Sequence, residues 1–145
     1  MQTILELVTA VSDAAEHSPD AMITLTHRSD DSKWVQLLHD KINLSYPFAA
    51  KPENQFADLA LPHAAELRGR FWEPKLFADF EFSKLSHDQL AEFLTAYMSA
   101  AFGTSDVADY KVVFAEAERG TIEADNTRDF LREIVKLKRR LDGRT

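Results

Sequence analysis

The stretch FWEPKLFADFEFSKLSHDQLAEFLTAYMSAAFG, residues 71–103, runs an aromatic strand straight into an amphipathic helix. Ser86 stands as N-cap, Gln89 three positions on can reach back to its amide, and Leu85 and Leu90 supply the hydrophobic pair that flanks such a start. Apolar residues then fall at Leu90, Phe93, Leu94, Tyr97, Met98, Ala101 and Phe102, a three-four spacing that places them on one stripe. Gly103 follows where a left-handed residue closes a helix. Upstream, Leu76, Ala78, Phe80 and Phe82 alternate with Phe77, Asp79, Glu81 and Ser83, the two-residue period of a strand with one buried face. The strand and the helix are expected to pack on one another.

Working toward the N-terminus, Phe71 and Trp72 begin a further strand that Pro74 interrupts, and a residue without an amide hydrogen fits an edge strand or a bulge. Residues 47–62 carry prolines, Asn54 and scattered apolar positions, which predicts a loop with one short turn of helix. Before it, residues 22–28, 34–39 and 42–46 read as a three-stranded meander. The cluster SDDSK at 29–33 is the expected first turn and Asp40-Lys41 the second, with Val35, Leu37, Ile42, Leu44 and Tyr46 facing inward. A first helix starts at Thr3 and Glu6, carries Ile4, Leu7, Val8, Val11 and Ala15 at helical spacing, and ends near His17. On the C-terminal side, Tyr110, Val112 and Phe114 mark one more strand. Asn126 or Thr127 then caps a final helix that mixes an apolar stripe with a basic one. The order helix, three strands, loop, strand, helix, strand, helix indicates one α+β domain over residues 1–145, with a largely antiparallel twisted sheet of about five strands and helices on one side.

Composition narrows the function. A chain of 145 residues buries roughly 70% of the surface exposed when unfolded, enough for a core without staples. The absence of cysteine removes disulfides and thiolate metal sites. Glu6 and Asp13 interrupt the first apolar stretch, no run is long enough to span a bilayer, and a cytoplasmic, soluble protein is expected. A formal charge of -7 repels phosphate backbones and anionic lipid, so neither nucleic acid nor membrane is an expected partner. The exception is the tail, where Arg132, Lys136, Lys138, Arg139, Arg140 and Arg144 cluster, either as an arm for an acidic partner or as the cationic end of a solvated helix.

Chemistry-bearing residues do not assemble into a catalytic pattern, and no enzyme activity, metal or cofactor is expected. Among His17, His27, His39, His63 and His87, His27 and His39 lie near the ends of neighbouring strands. No HxH, HxxxH or HExxH spacing supports a site, and a third ligand such as Asp30, Asp31 or Asp40 is needed. Asp79 and Glu81 share a strand face, which suits acid-base work only if buried and otherwise marks a wet surface. Ser45, Ser83 and Ser86 lack the GxSxG turn, and with 4 glycines there is no phosphate-cradling loop.

The aromatic residues form the candidate binding set. Trp34, Leu38, Phe71, Trp72 and Phe77 fall outside the inward-facing alternation, so they are candidates for a surface that binds a protein partner. The alternative is that a second layer or a dimer partner covers them.

WVQLLHDKINLSYPF at 34–48, Leu61-Pro62, FWEP at 71–74 and LFADFEF at 76–82, followed by the amphipathic helix, resemble the small acidic bacterial proteins related to the YbjN family, within the superfamily of type III secretion chaperone-like domains. The resemblance spans residues 34–114. It implies a curved antiparallel sheet backed by helices, frequently a homodimer, whose apolar surface holds an extended segment of another protein, and it carries no catalytic residues. Three functions follow as expectations. A chaperone-like or adaptor module predicts an exposed apolar groove beside a sheet edge. An acidic immunity or inhibitor protein that neutralises a toxin predicts Asp30, Asp31, Asp40, Glu53 and Asp58 on one surface. A small-molecule enzyme or sensor predicts a closed pocket with convergent polar groups.

Overall fold

The computed structural model describes residues 3–116 and 120–124. Helix α1 (Ile4–Ala15) opens with the Thr3 hydroxyl accepting from the Glu6 amide. It buries Ile4, Leu7, Val8 and Val11 as the spacing requires, together with Ala10 and Ala14. Strands β1 (Met22–His27), β2 (Asp30–Leu37) and β3 (Lys41–Ser45) form the meander. Helix α2 (Pro52–Asp58) and a 3-10 turn (Ala64–Glu66) lead into the hairpin β4 (Arg68–Glu73) and β5 (Phe77–Glu81). Helix α3 (His87–Phe102), β6 (Tyr110–Glu116) and β7 (Gly120–Ala124) follow.

All seven strands belong to one antiparallel sheet in the order β4-β5-β3-β2-β1-β6-β7. The architecture is α+β, as the alternation of periods indicates. The reading of about five strands grows to seven by β4, which Phe71 and Trp72 had marked, and by the short β7.

Register explains where the core sits. Phe114, Ile23, Leu37, Ile42 and Phe80 succeed one another across five strands, and Val112, Leu25, Val35, Leu44 and Ala78 form the parallel row. Every one of these is buried, so one face of the sheet is apolar and takes the helices. α3 supplies Leu90, Phe93, Leu94, Tyr97, Met98 and Phe102 to the same core. Its ends follow the sequence signals: Ser86 and Gln89 make both halves of a capping box, and Gly103 adopts φ 87°. The Tyr97 hydroxyl donates to the Ser45 carbonyl at 2.6 Å and so ties the middle of α3 to the end of β3.

Four local expectations change. The SDDSK turn shortens to Arg28-Ser29, and Asp31, Ser32 and Lys33 are absorbed by a register shift that lets His27 pair with Asp30 and Thr26 with Trp34. Leu76 is 60% exposed where burial was expected, because it lies in the Pro74-Lys75 turn before β5 begins. Ala14, not Ala15, closes the buried stripe of α1. His27 and His39 sit at opposite ends of the β1–β2 pair, since the register runs from Ile23 opposite Leu37 to His27 opposite Asp30. The expected final helix and its basic tail lie outside the described residues.

Candidate functional site

Among the described residues β4 is an edge strand of the sheet, and all six of its residues are exposed. Among the described residues the large apolar side chains left exposed are Phe71 (62%), Trp72 (37%) and Leu76 (60%), and all three belong to the β4–β5 hairpin. Why they remain outside follows from the local sequence. Among the described residues β4 has a neighbouring strand on one side only, and a bulge between Gly69 and Phe71 inserts Arg70 as an extra residue. The bulge resets the alternation, so Phe71 stands opposite Asp79 on the face away from the helices and Trp72 stands opposite Ala78 on the helix-bearing face.

The helix-bearing side of β4 opens into a groove of about 670 Å³, whose apolar wall includes Phe56, Leu61, Leu67, Trp72 and Phe80. Phe56 fixes that wall. Its ring lies 5.4 Å from those of Phe80 and Phe93, 5.7 Å from Tyr97 and 6.3 Å from Tyr46. α2 is only seven residues long and buries nothing else but Pro52, so this one side chain holds the helix down. Beyond α2 the chain returns to β4 through Ala60 and His63, both at positive φ, with His63 Nε2 2.7 Å from a Glu92 carboxylate oxygen on α3. Trp72 leans edge-on against Tyr46 at 6.1 Å, and Gly69 leaves the floor beside Phe80 bare.

The opposite face of the sheet is mainly polar at its centre. Asp79, Asn43, Gln36 and Thr24 form one row across four strands. Buried oxygens of Asn43 and Asp79 lack hydrogen-bond partners among the described residues. Arg70 lies 3.9 Å from both Asp79 and Glu81, and Arg68 lies 3.5 Å from Glu81. These arginines answer the question about the carboxylate pair: Asp79 and Glu81 belong to a small ionic cluster with Arg68 and Arg70 on the strand edge.

The predicted binding residues are divided by this geometry. Phe71 and Phe77 occupy adjacent strands on the polar face, flanking Asp79. Trp34, opposite Thr26, is half-buried on that same face but nearer the centre of the sheet. Leu38 lies at the far end of β2, its amide donating to the Lys41 carbonyl. Of the five, Trp72 lines the groove and Phe71 borders it at the strand edge, while Trp34, Leu38 and Phe77 do not. Sequence reasoning missed Phe56, Leu61 and Leu67, because residues 52–67 show no sustained period.

Neither alternative site is gathered together. Asp30 and Asp31 start β2, Asp40 follows its other end, and Glu53 and Asp58 belong to α2, so the five acids do not form one surface. Among the described residues no group of three or more histidine, aspartate or glutamate side chains is placed to hold a metal ion. Within the same residues no helix is long and apolar enough to cross a membrane. No family model, curated protein or solved structure matches the chain.

Proposed function

We propose that this protein is a non-enzymatic binding module, an adaptor or chaperone-like domain of the cytoplasm that holds an extended protein segment against β4. The concentration of exposed Phe71, Trp72 and Leu76 on one hairpin at a free sheet edge, beside an apolar groove, carries the reading. An edge strand offers unpaired amides and carbonyls to a second strand, and the groove accepts alternate side chains from it. Main-chain pairing supplies affinity and the groove supplies selectivity for a bulky apolar residue. The YbjN-like resemblance points to the same class of function.

The chain has 2 tryptophans, so a Trp34→Phe background leaves Trp72 as the only indole reporter. Extended peptides with bulky apolar residues at alternate positions should shift its emission to the blue and saturate. N-methylation of alternate peptide amides should abolish the signal. A second variant, Gly69→Leu, should fill the groove without unfolding the chain, because a Cβ at position 69 meets only the Phe80 ring, at an ordinary 3.8 Å. Absence of peptide binding, together with a small metabolite retained in native mass spectrometry, would overturn the reading in favour of a ligand-binding pocket.

A further inference from the structure

We infer that residues 59–67, which join α2 to β4 and line the groove through Ala60, Leu61, Ala64, Ala65 and Leu67, are a clamp. This strap swings away from α3 and closes on a side chain inserted beside Gly69, hinged at Ala60 and His63 and restrained by the contact between His63 and Glu92. The inference rests on the proposed function, since it supplies the moving wall of that same site.

Three observations point to this movement. The first is room. A strand added to β4 directs alternate side chains to the helix-bearing face, so one or two of them enter the groove. A volume of about 670 Å³ suits a whole drug-sized ligand. One or two side chains leave it loosely filled, and a contact of interior density requires a wall to move inward. Phe56 and Phe80 are buried and β4 is held by its ladder to β5, so those walls stay in place. The strap is free to move, because none of residues 59–67 is fully buried.

The second is strain. Ala60 has φ 53° and His63 has φ 62°. Ala60 directly follows the Leu59 C-cap of α2; its amide donates to the Ala57 carbonyl, and the Leu61 amide donates to the Phe56 carbonyl. That pair of bonds closes a helix through a left-handed residue, a position glycine fills without steric cost. Alanine there is strained, and strain of this kind gathers at ligand clamps and switch segments. Between the two joints lie Leu61 and Pro62. Proline fixes its own φ and restricts the residue before it, so the pair turns as one stiff lever that carries Leu61. Closure lets Ala60 leave the left-handed region and relaxes what the open form stores.

The third is the fastening. Among the described residues, the one side-chain hydrogen bond from the strap to another element joins His63 Nε2 to Glu92 Oε2 at 2.7 Å. The Glu92 side chain is 63% exposed, so water competes for it and the contact breaks at little cost. It holds the middle of the strap to α3, and its release frees the lever toward β4.

The test is stopped-flow fluorescence of Trp72 in the full chain carrying Trp34→Phe, mixed with a synthetic peptide that alternates Leu and Thr, with the thermal midpoint recorded for every variant. A clamp makes closure a step of its own, so the observed rate should level off as peptide concentration rises. Glu92→Ala should raise that plateau and tighten binding about threefold. Ala60→Gly should raise the thermal midpoint yet weaken binding about fivefold or more, because it relaxes the open form alone. Damage to the fold could not imitate that result, since it would lower the midpoint. A rate that stays linear in peptide concentration, or affinities that do not move in either variant, would overturn the clamp and leave the proposed function standing. Weaker binding by Glu92→Ala would also overturn it, by showing that the tie builds the groove wall instead of restraining it. Absence of any peptide signal in the parent chain and both variants would remove the proposed function and the clamp together.

Discussion

Truncating Phe56 to alanine separates the groove from the rest of the fold. The ring is buried and packs against Tyr46, Phe80, Phe93 and Tyr97, and α2 has no other large buried side chain. Removing a phenyl ring from a well-packed core costs about 3–5 kcal/mol, through lost transfer energy plus the cavity left behind. Helices as short as α2 do not persist alone in water. Its Lys51 N-cap makes no side-chain hydrogen bond, so the helix has no local device to replace the lost contacts. Urea unfolding should show the midpoint falling by that free energy with little change in slope. Hydrogen exchange should show the Gln55 and Leu59 amides, which donate to Lys51 and Gln55 carbonyls, losing protection. The β1–β2 amides should keep theirs at native conditions. Peptide binding at β4 should fail along with α2. A loss below about 1 kcal/mol with α2 protection intact would show that Phe56 neither anchors the helix nor builds the groove.

Three other outcomes follow from the core and the turns. Tyr97→Phe should destabilise the chain by about 1–2 kcal/mol in the same unfolding assay, because the buried Ser45 carbonyl loses its hydroxyl donor; no loss would mean that this bond contributes nothing net. Lys75 has φ 62° in the Pro74-Lys75 turn, so Lys75→Gly should raise stability by about 0.5–1 kcal/mol, and a decrease would refute the strain. All 3 tyrosines are buried, and burial raises each phenol: Tyr46 to about 12, Tyr110 to about 12 with Asp109 adding to the effect, and Tyr97 upward with Tyr46 adding to it. A raised folded pKa means that the native state holds these protons more tightly than the unfolded chain, whose phenols titrate near about 10. Their contribution is complete below about pH 10 and is lost as pH rises through about 12. Phenolate absorbance should therefore rise together with loss of near-ultraviolet dichroism. Titration of all three near the ordinary value with the fold intact would contradict it.

The legible parts of the fold were those with two agreeing signals. α3 had both a period and two caps, and the meander had alternation bounded by polar turns. β4 was legible as an edge from Pro74, but not in the directions of its side chains. An exposed strand has no buried face to impose alternation, and the bulge reverses parity between Gly69 and Phe71. That is why Phe71 and Trp72 looked alike in sequence yet emerge on different faces. α2 was legible only as one short turn of helix within a loop, for the opposite reason: beyond Pro52 at its start, one buried phenylalanine in seven residues sets no period, and tertiary packing decides how far PENQFAD is helical. The groove inherits this illegibility, since its walls come from segments joined only by folding.

The strand order has a consequence for synthesis on the ribosome. β1 lies between β2 and β6, and its second ladder, from Met22 opposite Ala115 to His27 opposite Tyr110, cannot form until the chain has been extended past β6. At ordinary translation rates that delay is on the order of ten seconds. Throughout it, MITLTH has an open flank rich in β-branched residues, a site where nascent chains on neighbouring ribosomes can stick to one another. Slow-codon placement or early capture by a holdase would act on this window, and the sensitivity should vanish abruptly once the codons for β6 have been read.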